Sequence, residues 1–283
     1  MPQNIAPRGT APQASKTRST PLFELNNASL SHGQTQVLHD INLTINFGER
    51  VALLGPSGAG KSSLLNLLYE QQPEQTALCP QDNGLVDILS AYHNVFMGGL
   101  ERYSAPAALW NLIRPVTSAR TEIEAIAVRL GLADELWKSV DRLSGGQRQR
   151  VALGRALFRH QPVFLGDEPV SALDPVQAEA LLNDVLTQHS TSVVCLHSPA
   201  LALALFDRVI LMKSGNIELD TSSERLSLEQ LQSLYGDVFS EAGSFSVSTQ
   251  SNCIVSSSEA CVTGKIISPH TDFTSLPTNQ IQR

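Results

Sequence analysis

Long apolar runs and aromatic side chains are scarce in this sequence. No stretch approaches the roughly 18 uninterrupted apolar residues of a transmembrane helix, and the polar N-terminus lacks the apolar segment of a secretory signal. Aromatic residues make up 5% of the 283 residues, whereas hydrophobic residues make up 42%. The sequence therefore predicts a core of Leu, Val, Ile and Ala in one large domain, or in one domain with tails.

Cysteine and positive charge are also limited. The four cysteines show no metal-binding spacing; they are Cys79, Cys195, Cys253 and Cys261. Apolar surroundings predict that Cys79 and Cys195 are buried free thiols. A reduced state is favoured for Cys253 and Cys261, although these two could pair. The net charge of -7 argues against nucleic acid as the main partner, but not against nucleotides, which are bound by local geometry.

Strand and helix patterns alternate over residues 21–236, which predicts an α/β layered fold. Alternating segments at 23–30 and 37–47 predict two half-buried antiparallel strands near the start. The continuous apolar run at 51–54 predicts a strand buried on both faces. A glycine-rich turn and a helical pattern follow that strand, as in phosphate-binding folds.

The second half of the chain continues the alternation. Helical spacing at 121–132 predicts an amphipathic helix that begins with a capping box formed by Thr121 and Glu124. A hairpin is predicted over Ser214 and Gly215. Two buried strands are predicted over residues 162–169 and 191–198. The segment 174–188 between them predicts a helix with proline in its first turn.

The two ends of the chain differ from the body in composition. Residues 1–20 are polar and are predicted to be a disordered N-terminal extension. Residues 237–283 are rich in Ser, Thr, Asn and Gln, which predicts a flexible C-terminal tail. A small regulatory appendage is the alternative for this tail.

The segment GPSGAGKSS fits the phosphate-loop pattern G-x-x-x-x-G-K-[ST]. Its glycines allow backbone N–H groups to surround phosphates, Lys61 is suited to the β- and γ-phosphates, and the Ser62 hydroxyl to Mg²⁺. A glycine-rich turn with a surface lysine is the alternative, which the strand before and the helix after disfavour. The predicted nucleotide-binding residues are Gly55, Pro56, Ser57, Gly58, Ala59, Gly60, Lys61, Ser62 and Ser63.

Polar side chains follow two of the buried strands. Asp167 ends one strand, where it can reach Mg²⁺, and Glu168 next to it can orient or deprotonate an attacking water. His197 follows another strand and is either a structural hydrogen-bonding group or a γ-phosphate contact, because parallel strands end at the same sheet edge. Nothing physical singles out Gln81 by itself.

The sequence also holds a second candidate anion site. LSGGQRQR at 143–150 combines glycines and a serine with a following helical pattern, which predicts a turn that opens onto a helix N-terminus. A single chain that binds one nucleotide at its phosphate loop has no evident use for this second site.

Together these motifs resemble those of the ATP-binding cassette (ABC) ATPases of membrane transporters, over residues 22–236. GPSGAGKSS resembles their Walker A motif, VFLGDEP their Walker B motif with the catalytic glutamate, and SALDP their D-loop, while LSGGQ is identical to their signature motif. Gln81 and His197 lie where that family has its Q-loop glutamine and switch histidine. The resemblance implies a P-loop NTPase fold of the ABC cassette type, with a RecA-like core, a helical subdomain and a reduced antiparallel β subdomain.

The resemblance also implies roles for these residues. The catalytic residues would be Lys61, Gln81, Glu168 and His197, and the cofactors would be ATP and Mg²⁺, with Ser62, Gln81 and Asp167 as metal ligands. In this family two cassettes enclose two ATP molecules head to tail. The signature motif would therefore contact the nucleotide of a second copy of the chain, through Ser144, Gly145, Gly146 and Gln147.

The implied protein is an ATP hydrolase at the cytoplasmic face of the inner membrane. Its implied partners are transmembrane permease subunits and, indirectly, a solute-binding protein, and not nucleic acid. Segments at 83–100, 166–182, 191–220 and 224–236 are most similar to the phosphonate importer ATPases. Transport of another solute such as phosphate, an amino acid or a metal is the alternative, as are a soluble cassette in translation or repair and a regulatory protein that binds ATP without turnover.

Three positions depart from the family pattern. His32 stands where an adenine-stacking aromatic residue is usual, which predicts weaker stacking unless a neighbouring side chain does this instead. The segment between Lys61 and Gln81 is short and leaves room for one turn and a short strand, so the surface that receives the membrane partner is expected to differ. Gly166 precedes Asp167 where a small residue such as alanine is common, and we expect this change to be harmless.

Overall fold

The computed structural model describes residues 20–242. Within this range the strands are, in chain order, β1 (Pro21–His32), β2 (Thr35–Asn46), β3 (Arg50–Leu54), β4 (Thr76–Cys79), β5 (Val163–Asp167), β6 (Thr191–Cys195), β7 (Arg208–Lys213) and β8 (Asn216–Ser222). The α-helices are α1 (Lys61–Gln71), α2 (Ala91–Phe96), α3 (Ala105–Ile113), α4 (Thr117–Arg129), α5 (Gly145–Phe158), α6 (Pro175–Gln188), α7 (Pro199–Leu205) and α8 (Leu228–Ala242). No helix in this part of the chain is both long and apolar enough to cross a membrane.

A six-stranded sheet forms the centre of the domain, in the order β4-β5-β6-β3-β7-β8. Neighbouring strands from β4 to β7 run parallel, and β8 pairs antiparallel with β7. All residues of β5 and β6 are buried, as the continuous apolar runs predicted. Because the strands are parallel, the ends of β3, β5 and β6 lie at the same edge of the sheet.

One face of the sheet packs against α1 and a separate antiparallel pair, β1 and β2. Alternate residues of β3 divide between the two faces, so that Val51 and Leu53 contact this layer. The antiparallel pair contributes Phe23, Leu38 and Ile45, all fully buried, to the same apolar cluster. The two early strands predicted from the sequence therefore form the reduced antiparallel β subdomain.

The opposite face of the sheet packs against helices. Ala52 and Leu54 of β3 join a large apolar cluster with residues of α5, α6 and α7. The helices α2 and α4 pack on α5 and extend the same cluster away from the sheet. The helices α2 and α4 correspond to the predicted helical subdomain. The helix α5 packs both on these helices and against the sheet.

Several local predictions are confirmed. A 3₁₀ turn at Pro73–Gln75 and the four-residue strand β4 fill the short segment before Gln81, as predicted. Cys79 and Cys195 are buried and free. The β7–β8 hairpin turns at Ser214 and Gly215, which have positive φ angles of 45° and 79°, as a tight hairpin turn requires.

The predicted capping box of the fourth helix is wrong. α4 begins at Thr117, so that Thr121 lies inside the helix and its hydroxyl donates to the carbonyl of Thr117 at 3.1 Å. Glu124 pairs with Arg120 at 2.8 Å, one helical turn away, and not with a helix-capping backbone group. The additional first turn is favoured because it buries Ala119 in the core.

The last helix crosses the predicted start of the tail. α8 spans Leu228–Ala242 and thus continues beyond residue 236, where the change of composition placed the boundary. The predicted N-terminal extension at 1–19, the remainder of the tail, and both Cys253 and Cys261 lie outside the described residues.

The β7–β8 turn joins three parts of the fold. The N–H of Gly215 donates to the carbonyl of Ala59 at 3.1 Å, and its own carbonyl accepts from the N–H of His39 at 2.9 Å. A Cβ atom at Gly215 would collide with the carbonyl oxygen of Val37 and the ring of His39. The turn therefore holds β2 against the glycine-rich loop, and only glycine fits there.

Gly215→Ala should lower the free energy of unfolding by about 2–5 kcal/mol, because left-handed strain of about 1–2 kcal/mol adds to overpacking of about 1–3 kcal/mol. Gly48→Ala is the matched control: Gly48 also has a positive φ, of 92°, but has nothing within 4 Å of an added Cβ. We expect the control to lose about 1–2 kcal/mol. Urea unfolding of both variants measures the difference, and equal losses would contradict the close approach at Gly215.

Candidate functional site

The glycine-rich loop lies between the end of β3 and the start of α1. Its glycines adopt backbone conformations that other residues rarely do, with φ of 149° at Gly55, 79° at Gly58 and 98° at Gly60. Gly60 is the N-cap of α1 and makes no side-chain capping bond, so the N–H groups of the first helical turn point toward the loop. A helix N-terminus of this kind attracts anions.

Lys61 is the first residue of α1 and is only 5% exposed. Its ammonium group donates to the carbonyl oxygens of Gly55 and Pro56 at 2.8 and 3.1 Å. A buried charge needs such partners, since desolvation otherwise disfavours it. The loop thus holds one fixed positive charge within its own curve.

The glycine-rich loop, Gln81 and Glu168 meet at one cavity of about 200 Å³. Gln81 follows β4, and Glu168 follows β5, so strands at the same edge of the sheet bring both to the loop. Three predicted parts of the site are therefore adjacent. The residues that line the cavity are Val37, Ser57, Gly58, Ala59, Gly60, Lys61, Ser62, Ser63, Gln81 and Glu168.

Asp167 is suited to hold a cation beside this cavity. It ends β5, is 7% exposed, and its Oδ1 atom has no hydrogen-bond partner among the described residues. An unpaired buried carboxylate oxygen is costly unless a cation compensates it. The Ser62 hydroxyl and the Gln81 amide oxygen at the cavity are the oxygen ligands that Mg²⁺ prefers, so the donor set fits that ion.

Glu168 has a strained backbone. Its φ of 53° is left-handed, which costs a non-glycine residue about 1–3 kcal/mol. The carboxylate Oε1 lies 2.5 Å from Nε2 of His197, and the glutamate side chain is 15% exposed, against 42% for the histidine. The backbone conformation thus directs one carboxylate both to the cavity and to the histidine.

His197 and His32 do not line the phosphate-loop cavity. His197 lies at ion-pair distance from the Glu168 carboxylate, and a contact with phosphate stays a prediction. His32 lies exposed at the end of β1, paired with Thr35. Val37 of β2 lines the cavity instead, and sequence reasoning missed it because an apolar residue in an alternating strand gives no functional signal.

The signature residues form the N-terminus of α5, outside this cavity. Ser144 is the N-cap: its hydroxyl accepts from the N–H of Gln147 at 3.3 Å, while the Gln147 side chain accepts from the N–H of Ser144 at 2.8 Å. This reciprocal pair is a capping box. Ser144 and Gly145 are exposed, so the motif opens to solvent and not to the phosphate loop of its own chain.

Two further residues of α5 contact the site, and sequence reasoning missed both. Arg155 donates to the carbonyl oxygens of Asn83 and Gly84 at 2.5 and 2.6 Å, just after Gln81. Burial lowers the pKa of Arg155. Gln149 is buried and bonds the loop after β5. The sequence did offer a signal for both residues, because each places a charged or amide side chain on the apolar side of a helix.

The two described cysteines lie near the site but are not nucleophiles. Burial raises the pKa of Cys79 to about 12. Burial, and after it the charge of Asp167, raises the pKa of Cys195 well above its ordinary value. Both thiols therefore stay protonated near neutral pH, and the thiolate is the reactive form.

Comparison with known proteins gives consistent matches. The family model described as ABC transporter matches residues 38–171. The phosphonates import ATP-binding protein PhnC of Pseudomonas entomophila is 38% identical over 246 residues, covering 76% of this chain and 92% of the relative. The protein of the same name from Pseudomonas putida is 38% identical over 253 residues, covering 78% and 92%.

Solved structures agree with the sequence relatives. The dimeric structure of MJ0796, a bacterial ABC transporter cassette, has a TM-score of 0.61 and 26% identity, covering 71% of this chain and 98% of that one. A dimeric post-hydrolysis state of the same cassette, bound to ADP and Pi, has a TM-score of 0.59 and 25% identity over the same shares. These matches and the geometry of the site show that the chain belongs to the ATP-hydrolysing, ATP-binding cassette family of ABC transporters.

Proposed function

We propose that this chain is the ATP-hydrolysing subunit of a membrane import complex for phosphonate or a related oxyanion. The observation that carries the hydrolytic activity is the single cavity where the phosphate loop meets Gln81 and Glu168. The substrate class rests on the PhnC relatives, which are named as phosphonate import proteins and of which this chain covers 92%.

Phosphate binding follows from the charge and backbone of the loop. The free N–H groups at the start of α1 and the positive end of its dipole attract the phosphates of ATP. The Lys61 ammonium lies within the same loop and supplies a full positive charge to them. These groups are fixed before the nucleotide arrives, so they stabilise charge without reorganisation.

Ser62, Gln81 and Asp167 would hold Mg²⁺. The unpaired Oδ1 atom of Asp167 supports this assignment, because a cation would compensate it. When bound, Mg²⁺ neutralises negative charge on the phosphates. Gln81 lies in the segment after β4, so this segment would contact the metal ion as well as the cavity.

Glu168 is the proposed general base or water-orienting residue. Its carboxylate accepts a proton from the attacking water as the water oxygen bonds to the γ-phosphorus and the bond to the β-phosphate oxygen breaks. The His197 ring lies beside the same carboxylate, at ion-pair distance, and so restricts its orientation. The products are ADP and inorganic phosphate.

The signature end of α5 is the proposed contact with a second copy of the chain. The residues that would bind the nucleotide of the partner copy do not line the phosphate-loop cavity of their own chain. They are Ser144, Gly145, Gly146 and Gln147. Closure of this pair on ATP would drive transmembrane permease subunits, to which a solute-binding protein delivers the solute. We place the chain at the cytoplasmic face of the inner membrane.

Lys61→Ala should weaken ATP binding by about 10- to 100-fold, because charged hydrogen bonds contribute about 1.5–3 kcal/mol. Isothermal titration calorimetry with a non-hydrolysable ATP analogue measures the change. Lys138→Ala is the control, since the Lys138 ammonium group pairs with Glu135 and does not line the phosphate-loop cavity. Unchanged affinity in the Lys61 variant would refute the phosphate-loop assignment.

Glu168→Gln should lower kcat of ATP hydrolysis by about 10²–10⁴-fold and leave an ATP-bound dimer, because closure precedes proton transfer. Light scattering with Mg-ATP measures the dimer. Glu229→Gln is the control for loss of one carboxylate at an exposed helical position. A Glu168 variant that stays monomeric with Mg-ATP would contradict the two-copy assignment.

The substrate class is tested in the cell that carries this chain. Glu168→Gln at the native locus should prevent growth with a phosphonate as the sole phosphorus source and leave growth on inorganic phosphate normal. This difference is expected if the chain energises phosphonate import and not the uptake of inorganic phosphate. Equal growth on both sources would mean that the chain does not energise phosphonate import.

A further inference from the structure

One buried side chain connects the signature helix to the loop that carries Glu168. Gln149 lies in the second turn of α5 and is 6% exposed. Its amide nitrogen donates to the carbonyl of Glu168 at 3.0 Å and to the hydroxyl of Ser171 at 2.8 Å. Its amide oxygen accepts from the N–H of Ala172 at 2.9 Å. Both polar atoms of the side chain are thus bonded to the segment after β5.

The Gln149 amide bonds to Glu168, whose backbone is strained. Glu168 has a left-handed φ of 53°, a conformation that persists only where neighbouring bonds fix it. Its N–H donates to the carbonyl of Cys195 on β6 at 3.3 Å. Its carbonyl accepts from the Gln149 amide. The N–H of Glu168 is therefore bonded to the sheet and its carbonyl to α5.

The first turn of α5 packs on the same segment. A Cβ atom at Gly146 would lie 3.2 Å from both the carbonyl oxygen of Ala172 and the side chain of Leu173. The signature motif thus has its backbone against the segment after Glu168. A shift of the α5 N-terminus would be transmitted to this segment directly, through Gly146 packing and the Gln149 hydrogen bonds.

We propose that Gln149 is a positioning residue, which holds the Glu168 backbone and thereby makes proton abstraction depend on the place of the signature helix. The inference deepens the proposed ATPase function and rests on it. In the proposed dimer, the nucleotide bound by the signature end of α5 belongs to the partner copy. Gln149 then links engagement of that nucleotide to hydrolysis of the nucleotide in its own chain.

A packing role alone makes a different prediction. If Gln149 only filled space, methionine, which is of similar length and volume, would replace it without loss of turnover. If Gln149 holds Glu168, methionine removes both the donor to the Glu168 carbonyl and the acceptor for the Ala172 N–H. Nucleotide affinity stays the same in that case, because Gln149 does not line the phosphate-loop cavity.

The decisive comparison is Gln149→Met with Gln188→Met. Gln188 is an exposed residue at the end of α6, remote in sequence from the signature segment. Gln188→Met therefore makes the same chemical change at a position without the contacts of Gln149. For Gln149→Met we expect kcat to fall by about 10- to 100-fold, since small misplacement of a catalytic group costs this much. The Kd for a non-hydrolysable ATP analogue should stay within about 2-fold of wild type, and the control should retain wild-type kcat.

A second pair of measurements separates positioning from loss of folding. Gln149→Glu keeps the acceptor for Ala172 but lacks the donor for Glu168, and its buried carboxylate should lower Tm. We therefore compare kcat at a temperature well below the Tm of every variant, where circular dichroism shows each to be folded, and expect kcat of Gln149→Glu to fall there too. In the Glu168→Gln background, Gln149→Met should still form the ATP-bound dimer by light scattering, because the residue acts after closure.

Two results would overturn the inference alone, and a third would overturn the proposed function as well. Wild-type kcat in either Gln149 variant overturns the inference and leaves the proposed ATPase function intact. A loss of nucleotide affinity as large as the loss of kcat also overturns it, because that result indicates a general disturbance of the site. If the wild-type chain hydrolyses no ATP, the proposed function fails, and the inference fails with it.

Discussion

The absence of a side chain at Gly60 is the constraint on which the arrangement of this domain depends. A Cβ atom there would lie 2.8 Å from Leu38 and 3.0 Å from the carbonyl oxygen of Val37, and the φ angle of 98° strains any other residue. The strand β2 can therefore lie directly on the phosphate loop. The β7–β8 turn completes the contact through Gly215, which bonds both Ala59 and His39. Loop shape, the position of the small sheet and the cavity wall at Val37 all follow from this close approach.

The helix α5 carries the signature motif and two contacts to segments of the phosphate-loop site. Its N-terminus presents the capped signature motif, its second turn bonds the Glu168 segment, and Arg155 in its last turn holds the backbone just after Gln81. The same helix forms the centre of the packing with α2 and α4. Rigid connection of several functional segments to one helix favours concerted movement over independent movement of each loop.

Much of the fold and part of the site followed from local sequence patterns. Continuous apolar runs identified β3, β5 and β6, and Glu168, expected to act on ATP from the end of a buried strand, lines the phosphate-loop cavity. Shared strand ends suggested a phosphate contact for His197, which does not line that cavity and lies beside Glu168 instead. Val37 could not be predicted as a cavity residue, because an apolar residue in an alternating strand carries no functional signal. The amide of Gln149 on the apolar side of α5 was a signal, but its partners could not be predicted because they are distant in the chain. The start of α4 was misplaced because burial of Ala119 outweighed a good capping pattern at Thr121.

The reciprocal bonds between Ser144 and Gln147 have a consequence for how a second copy could be recognised. The Ser144 hydroxyl uses a lone pair for the Gln147 N–H, so its own proton remains available to a phosphate oxygen. The helix end does not need to unwind or repack before it meets an anion. Its ordering entropy is lost when the chain folds and is not lost again on association, which favours a contact that can form and release in every cycle.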